Sequence, residues 1–178
     1  MQRGENKQML IKGIIDEDFL NYKKPSMYIA TSKCSFKCDK ECGRQVCQNS
    51  QLAYQKPYNI GIRTLVKRYL TNPITKAIVI AGMEPFDTPE LIYEIVTEFR
   101  EIGCMDDIVI YTGYTEYELT LDDTGRQENA TYNWLKHYPN IYIKFGRYVP
   151  DQEPHYDEVL GVMLASDNQY GKKVSYDK

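Results

Sequence analysis

The chain has 178 residues and a mass of 20.8 kDa, which fits a single domain. Its 42% hydrophobic and 26% charged residues are an ordinary globular balance, so a core can form without disulfides. A net charge of −3 and a pI near 5.5 exclude the global basic field of a nucleic-acid partner. The polar opening, residues 1–8, lacks the apolar core of a secretion signal. The longest apolar run, residues 77–83, is far short of the ~20 residues that cross a bilayer. The expectation is a cytoplasmic protein with no membrane partner.

In chain order, residues 26–30 are a short β-prone run. Directly after it come four of the five cysteines, Cys34, Cys38, Cys42 and Cys47, within 14 residues. In a reducing compartment such a cluster is a metal or redox site before it is a disulfide framework. Thiolates bind zinc and iron–sulfur clusters. Lys33, Lys37, Lys40 and Arg44 outnumber Asp39 and Glu41 here, and a locally positive field favours thiolate. Four cysteines also suffice for structural zinc, although this window lacks the two-pair layout of a zinc knuckle. Residues 60–70 carry Ile62, Leu65, Val66, Tyr69 and Leu70 at helical spacing, stopped by Asn72 and Pro73.

Residues 77–81 read as a strand covered on both faces, followed by Gly82, Met83, Glu84 and Pro85. The clearest helix opens on Thr88 as cap and Pro89. It shows one stripe of Leu91, Ile92, Ile95, Val96, Phe99 and Ile102, and stops at Gly103. Cys104 beside it reads as a packed thiol. Residues 107–111 form the next strand, ending in Tyr111, Thr112, Gly113 and Tyr114. The acidic stretch 116–128 reads as a solvated face. Residues 129–138 suit a helix with Trp134, Leu135 and Tyr138 inward, 141–145 a strand, and 159–164 a last strand. The two histidines, His137 and His155, read as surface or satisfied groups, too few for a His-rich zinc site.

This alternation argues for right-handed βαβ units. The expected fold is α/β: an incomplete TIM-like barrel of about five to six βα units, with a mostly parallel sheet, in one domain over residues 1–178. A full eight-stranded barrel needs roughly 250 residues. The cysteine loop (34–47), the Gly82–Pro85 turn and the Thr112–Tyr114 turn each follow a strand. In a parallel sheet they share the carboxyl edge, where α/β proteins build ligand sites.

These three features resemble the radical S-adenosylmethionine enzymes, and within them the activating protein of anaerobic ribonucleotide reductase. The family signature is C-x3-C-x2-C, its third cysteine commonly followed by any residue and then Asn. Cys34-x3-Cys38 matches the first half, and Cys47-Gln48-Asn49 matches the end where Cys42-Gly43-Arg44 does not. The resemblance therefore assigns Cys34, Cys38 and Cys47 as ligands of a 4Fe-4S cluster, spaced C-x3-C-x8-C, with Cys42 the alternative third ligand. Ala81 to Pro85 corresponds to the glycine-rich stretch that holds the amino group of S-adenosylmethionine, with Met83 where a second glycine is usual. Residues 108–115, running on into Glu116, Tyr117, Glu118 and Leu119, resemble the Thr-Gly-Tyr strand and turn of the activase subfamily. Ala165 to Gln169 echoes a late Ser-Ser-Asn-Gln stretch. The family's late Asp-Gly is replaced by Phe145-Gly146, so that aspartate's role does not carry over. The implied S-adenosylmethionine site is Gly82, Met83, Glu84, Tyr111, Thr112 and Asn168.

The resemblance implies reductive cleavage of S-adenosylmethionine to a 5′-deoxyadenosyl radical, which abstracts hydrogen from a glycine of a large partner reductase. Three cysteines leave the fourth iron open. A reduced flavodoxin or ferredoxin would supply the electron. No general base is needed, in keeping with two histidines. Sixteen tyrosines suit an interface or a plain compositional bias. The competing readings are a radical enzyme acting on another peptide or small molecule, and a non-catalytic iron–sulfur or zinc module.

Overall fold

The computed structural model describes residues 6–120 and 129–176. Strands β1 (Gln8–Asp18) and β2 (Ser26–Thr31) come first, then two short helices, α1 (Lys37–Cys42) and α2 (Ser50–Tyr54). β3 (Tyr58–Gly61) runs into α3 (Ile62–Thr71), and β4 (Ala77–Gly82) leads through a 3₁₀ turn (Pro85–Asp87) to α4 (Pro89–Glu101). β5 (Asp107–Tyr111), α5 (Glu116–Thr120), α6 (Ala130–Leu135) and β6 (Ile141–Phe145) follow. The chain finishes with β7 (His155–Asp157), β8 (Val162–Leu164) and β9 (Tyr170–Lys173).

Seven strands form one mixed sheet in the order β3-β1-β2-β4-β5-β6-β9. β2, β4, β5 and β6 are parallel. β1 lies antiparallel between β3 and β2, and β9 is antiparallel to β6. β7 and β8 form a separate hairpin. β4 is buried throughout, as its unbroken apolar run requires. Its Ile78 and Ile80 join the core shared with α3, α4 and α6, while Ala77, Val79 and Ala81 face the other side. That second side is covered by Tyr22, Leu160 and Leu164.

The expected incomplete TIM-like barrel with a mostly parallel sheet is therefore corrected. Parallel pairing joins only four strands, antiparallel pairs equal parallel ones in number, and β3 and β9 end an open sheet. The physical reason lies in β1. Ile11 and Lys12 are both buried, and the register with β2 shifts between Ile11 and Gly13. A β-bulge of this kind hides the period-2 alternation by which a strand is read.

Smaller differences follow. Residues 60 and 61 belong to β3, and Leu70 and Ile102 are exposed rather than part of their stripes. Thr88 takes the N-cap position of α4, but its hydroxyl makes no capping bond and is buried without a partner. Pro89 opens that helix, and Gly103 follows it at φ 79°. Asn129 caps α6 by accepting from the Tyr132 N–H at 3.1 Å. Of residues 159–164 only 162–164 are strand, and they pair within the hairpin instead of extending the sheet. Among the described residues no helix is long and apolar enough to cross a membrane.

β1 holds the antiparallel edge in place through buried Ile11. Ile11→Ala should lower unfolding stability by about 2–5 kcal/mol, read as a shift of the urea midpoint at unchanged slope.

Candidate functional site

The carboxyl ends of the four parallel strands open onto one cavity of about 260 Å³. Its walls include Cys34, Cys38 and Cys47 after β2, Gly82, Met83 and Glu84 after β4, and Tyr111 and Thr112 at the end of β5. Strand register lines these groups up, pairing Thr31 with Gly82 and Tyr111 with Lys144. Cys42 and Asn168 are not among the lining residues. Cys42 is exposed. The Asn168 amide donates to the Arg147 carbonyl at 2.9 Å and accepts from Ser166 Oγ at 2.8 Å, leaving Gln169 on the cavity wall.

The cysteine loop is built by local hydrogen bonds. Phe36 adopts φ 54°, and its N–H donates to Cys34 Sγ at 3.2 Å. Asp39 Oδ1 accepts from the N–H groups of Val46 and Cys47, both at 2.8 Å. Asp87 accepts from the Ser35 N–H at 2.6 Å and the Tyr114 hydroxyl at 2.8 Å, joining the cysteine loop to the turn after β5. Asn49 Nδ2 donates to the Gly82 carbonyl at 2.7 Å, joining it to the turn after β4. Lys12 Nζ donates to the carbonyls of Leu52 and Ala53 at 2.9 and 2.6 Å, satisfying the open end of α2.

Glu84 is buried. Its carboxylate accepts from Thr112 Oγ1 at 2.7 Å, the Gly113 N–H at 2.8 Å and the Phe86 N–H at 3.1 Å. Burial raises its pKa to about 7, against the lowering effect of those three donors. Lys144 is buried on the same cavity, and burial lowers its pKa to about 8, opposed by the negative charge of Glu84. Its ammonium donates to the Gly146 carbonyl at 2.6 Å. Arg147 lies below Tyr114 and binds Glu118 at 2.8 and 2.6 Å and Glu41 at 3.4 Å.

The expected lysine field around the thiols is not what surrounds them. Lys33, Lys37 and Arg44 pair outward with Glu90, Glu118 and Asp151 at 3.5, 3.7 and 3.8 Å. Burial pushes the Cys34 thiol up to about 12 and raises Cys38. Arg147 is the cation that opposes the rise at Cys38. Lys144 and Arg147 escaped sequence reasoning. The available signal for Lys144 was its place two residues after Tyr142, on an otherwise apolar strand face.

The acidic stretch is also different. Glu116 binds the Tyr132 hydroxyl and Lys172, and Glu118 is held near pKa 2 as Arg147 and Thr115 overcome its burial. Residues 121–128 of that stretch lie outside the described residues. His137 makes a tilted ring contact with Tyr176, and His155 Nδ1 is buried with no hydrogen-bond partner among the described residues. Cys104 packs against the main core.

This donor set fits a cluster better than a single ion. Among the described residues no three His, Cys, Asp or Glu groups converge on one metal position. The thiols of a cluster sit on different irons and stand further apart. The half-buried Cys34 and Cys38, whose pKa values burial raises, need metal to become thiolates, and buried Lys144 offsets part of the charge of a thiolate-ligated cluster.

Gly82 holds this geometry at φ 92°, where an added Cβ would meet Ala30 Cα, Ala30 Cβ and Leu52 Cδ2 at 2.9 Å. Gly82→Ala should cost about 2–4 kcal/mol in urea unfolding, through strain and overpacking together.

A family model described as a 4Fe-4S single cluster domain matches residues 25–154, which include the cysteine loop, both turns and Lys144. No curated protein and no solved structure matches the chain. With most of its length matched, the chain belongs to the 4Fe-4S single cluster domain family and is an iron–sulfur protein.

Proposed function

We propose that the chain is a radical S-adenosylmethionine enzyme that installs a glycyl radical on an anaerobic ribonucleoside-triphosphate reductase. The observation that carries this reading is that three cysteines, not four, line one cavity together with the turns after β4 and β5. Cys34, Cys38 and Cys47 hold three irons and leave the fourth without a protein ligand, where simple electron carriers use four cysteines. A cluster held there would supply a low-potential electron to the sulfonium of S-adenosylmethionine.

The chain's own residues bind and orient that molecule. Gly82 and Met83 line the cavity, and the carbonyl of Met83, with that of Gly82 already accepting from Asn49, would take its ammonium group. Glu84 Oε2, bonded among the described residues to the Gly113 N–H alone, keeps acceptor capacity for the same group. Lys144, whose ammonium donates to one carbonyl and has no carboxylate bonded to it among the described residues, would meet the ligand's carboxylate. Tyr28, Tyr111 and Leu164 give the remainder an apolar wall that excludes water. Leu20 and Met163, 81% and 62% exposed, border the mouth and suit a protein substrate rather than a small one.

The test is anaerobic reconstitution followed by dithionite and S-adenosylmethionine. Release of 5′-deoxyadenosine is expected, and a glycyl-radical EPR doublet when the reductase is added. A full cluster with no 5′-deoxyadenosine would leave a non-catalytic iron–sulfur module. Cys42→Ala should retain the cluster's iron and absorbance, and Cys47→Ala should lose most of both. The opposite pattern would overturn the ligand assignment.

Lys144→Met removes a buried charge from the metal-free chain. It should raise the urea midpoint while weakening S-adenosylmethionine binding by about tenfold or more. Isothermal titration of the reconstituted protein reads the second effect.

A further inference from the structure

The cysteine loop is a wall with two faces. Its inner face, with Cys34, Cys38, Cys47 and Asn49, lines the main cavity. Its outer face borders an open groove between Phe36, Asp39, Gln45, Ser50, Ala53 and Tyr54. Phe36 and Asp39 alternate along the chain with Cys34 and Cys38, so only the thickness of the loop separates the groove from the thiols.

The segment is also the basic part of an acidic protein. Residues 33–56 carry Lys33, Lys37, Lys40, Arg44 and Lys56 against Asp39 and Glu41, a formal +3 in a chain of −3, and with Lys33, Lys37 and Arg44 paired to Glu90, Glu118 and Asp151 the remaining charge lies on Lys40 and Lys56. Both carboxylates are engaged within the chain, Asp39 by the Val46 and Cys47 N–H groups and Glu41 by Arg147. Lys40, next to groove residue Asp39, and Lys56, two positions beyond Tyr54, are exposed and have no ion pair among the described residues. Tyr54 itself is 84% exposed. An exposed aromatic with unpaired lysines beside it is the surface of a weak, electrostatically steered redox encounter.

We infer that the outer face of residues 36–56 is the docking surface for a small acidic electron-carrier protein. This rests on the proposed redox use of the cluster. One electron leaves the carrier's reduced flavin or iron–sulfur centre and reduces the oxidised 4Fe-4S cluster, and no atom is transferred. The inner cavity is then free to hold S-adenosylmethionine while the electron arrives through the loop from outside.

The probe is a flavodoxin of strongly negative charge, and the measurements are its Kd for the reconstituted protein and its rate of cluster reduction, at 20 mM and 500 mM salt. Lys40→Glu/Lys56→Glu should weaken binding and slow reduction by about tenfold at low salt, with the difference lost at high salt. Reduction by dithionite should be unchanged, which shows an intact cluster. The control Lys67→Glu/Lys76→Glu has the same net charge, with changes on exposed α3 and before β4. Equal losses in both double variants, or no loss in the first, overturns the docking surface. Failure of dithionite-driven S-adenosylmethionine cleavage in the unsubstituted protein would instead strike the proposed function, and the flavodoxin Kd is read independently of it.

Discussion

Glu84 accepts from Thr112 Oγ1 and from the N–H groups of Gly113 and Phe86, while its own backbone N–H donates to the Lys33 carbonyl at 2.8 Å. One residue thus binds the loops after β2, β4 and β5 to each other. The bonds from Thr112 and Phe86 are buried, so losing either donor would leave an unsatisfied group at about 1–3 kcal/mol. A carboxylate in that position is costly by burial alone, as its raised pKa shows. Its three donors and the nearby Lys144 are what make it tolerable. The dependence is mutual: Glu84 positions the loops, and the loops supply the hydrogen bonds that let Glu84 stay buried.

That brace changes what Glu84 can do for a ligand. A carboxylate at a strand end reads as a free group for an ammonium, yet two of its donors already occupy Oε1. Only Oε2 has capacity left. The anionic complement falls to Lys144, which no motif marks. The cavity therefore contains one carboxylate largely spent on structure and one ammonium largely unspent, an asymmetry suited to a zwitterionic ligand whose carboxylate lies toward β6. Arg147 stands behind Cys38 and is itself neutralised by Glu118 and Glu41, so it acts on the thiol more than on the ligand.

The parallel strands were legible because β4, β5 and β6 are apolar runs buried on both faces, a pattern that survives in sequence. The antiparallel edges were not. β3 and β9 are short and mostly exposed, and an edge strand held by backbone hydrogen bonds needs no apolar signal. β1 is long, but its bulge breaks the alternation. The convergence of the cysteine loop with the turns after β4 and β5 followed from their positions at strand ends, while the choice of Cys47 over Cys42 came from the resemblance; one cavity is lined by Cys34, Cys38, Cys47, Gly82, Glu84 and Thr112 together. Side-chain direction was the missing information. Four cations in the cysteine loop suggested activated thiols, whereas three of them turn to carboxylates outside the loop and the thiols are governed by burial.

The expanded spacing between Cys38 and Cys47 is the largest departure from the resembled signature, and Asp39 accounts for how the chain accommodates it. By accepting from the Val46 and Cys47 N–H groups, Asp39 brings the residue after Cys38 against Cys47 itself. The eight intervening residues become a closed excursion containing the end of α1 and the left-handed Gly43. Lengthening a loop in this way costs little, because closure entropy grows only logarithmically with length. Cys42 is carried outward on that excursion, which is why its exposure and the cavity position of Cys47 are two consequences of one hydrogen-bonded turn. The same excursion carries Lys40 and Arg44 to the outer face. An insertion that leaves the three thiols on the cavity thereby places Lys40, exposed and without an ion pair among the described residues, beside Arg44, which pairs with Asp151.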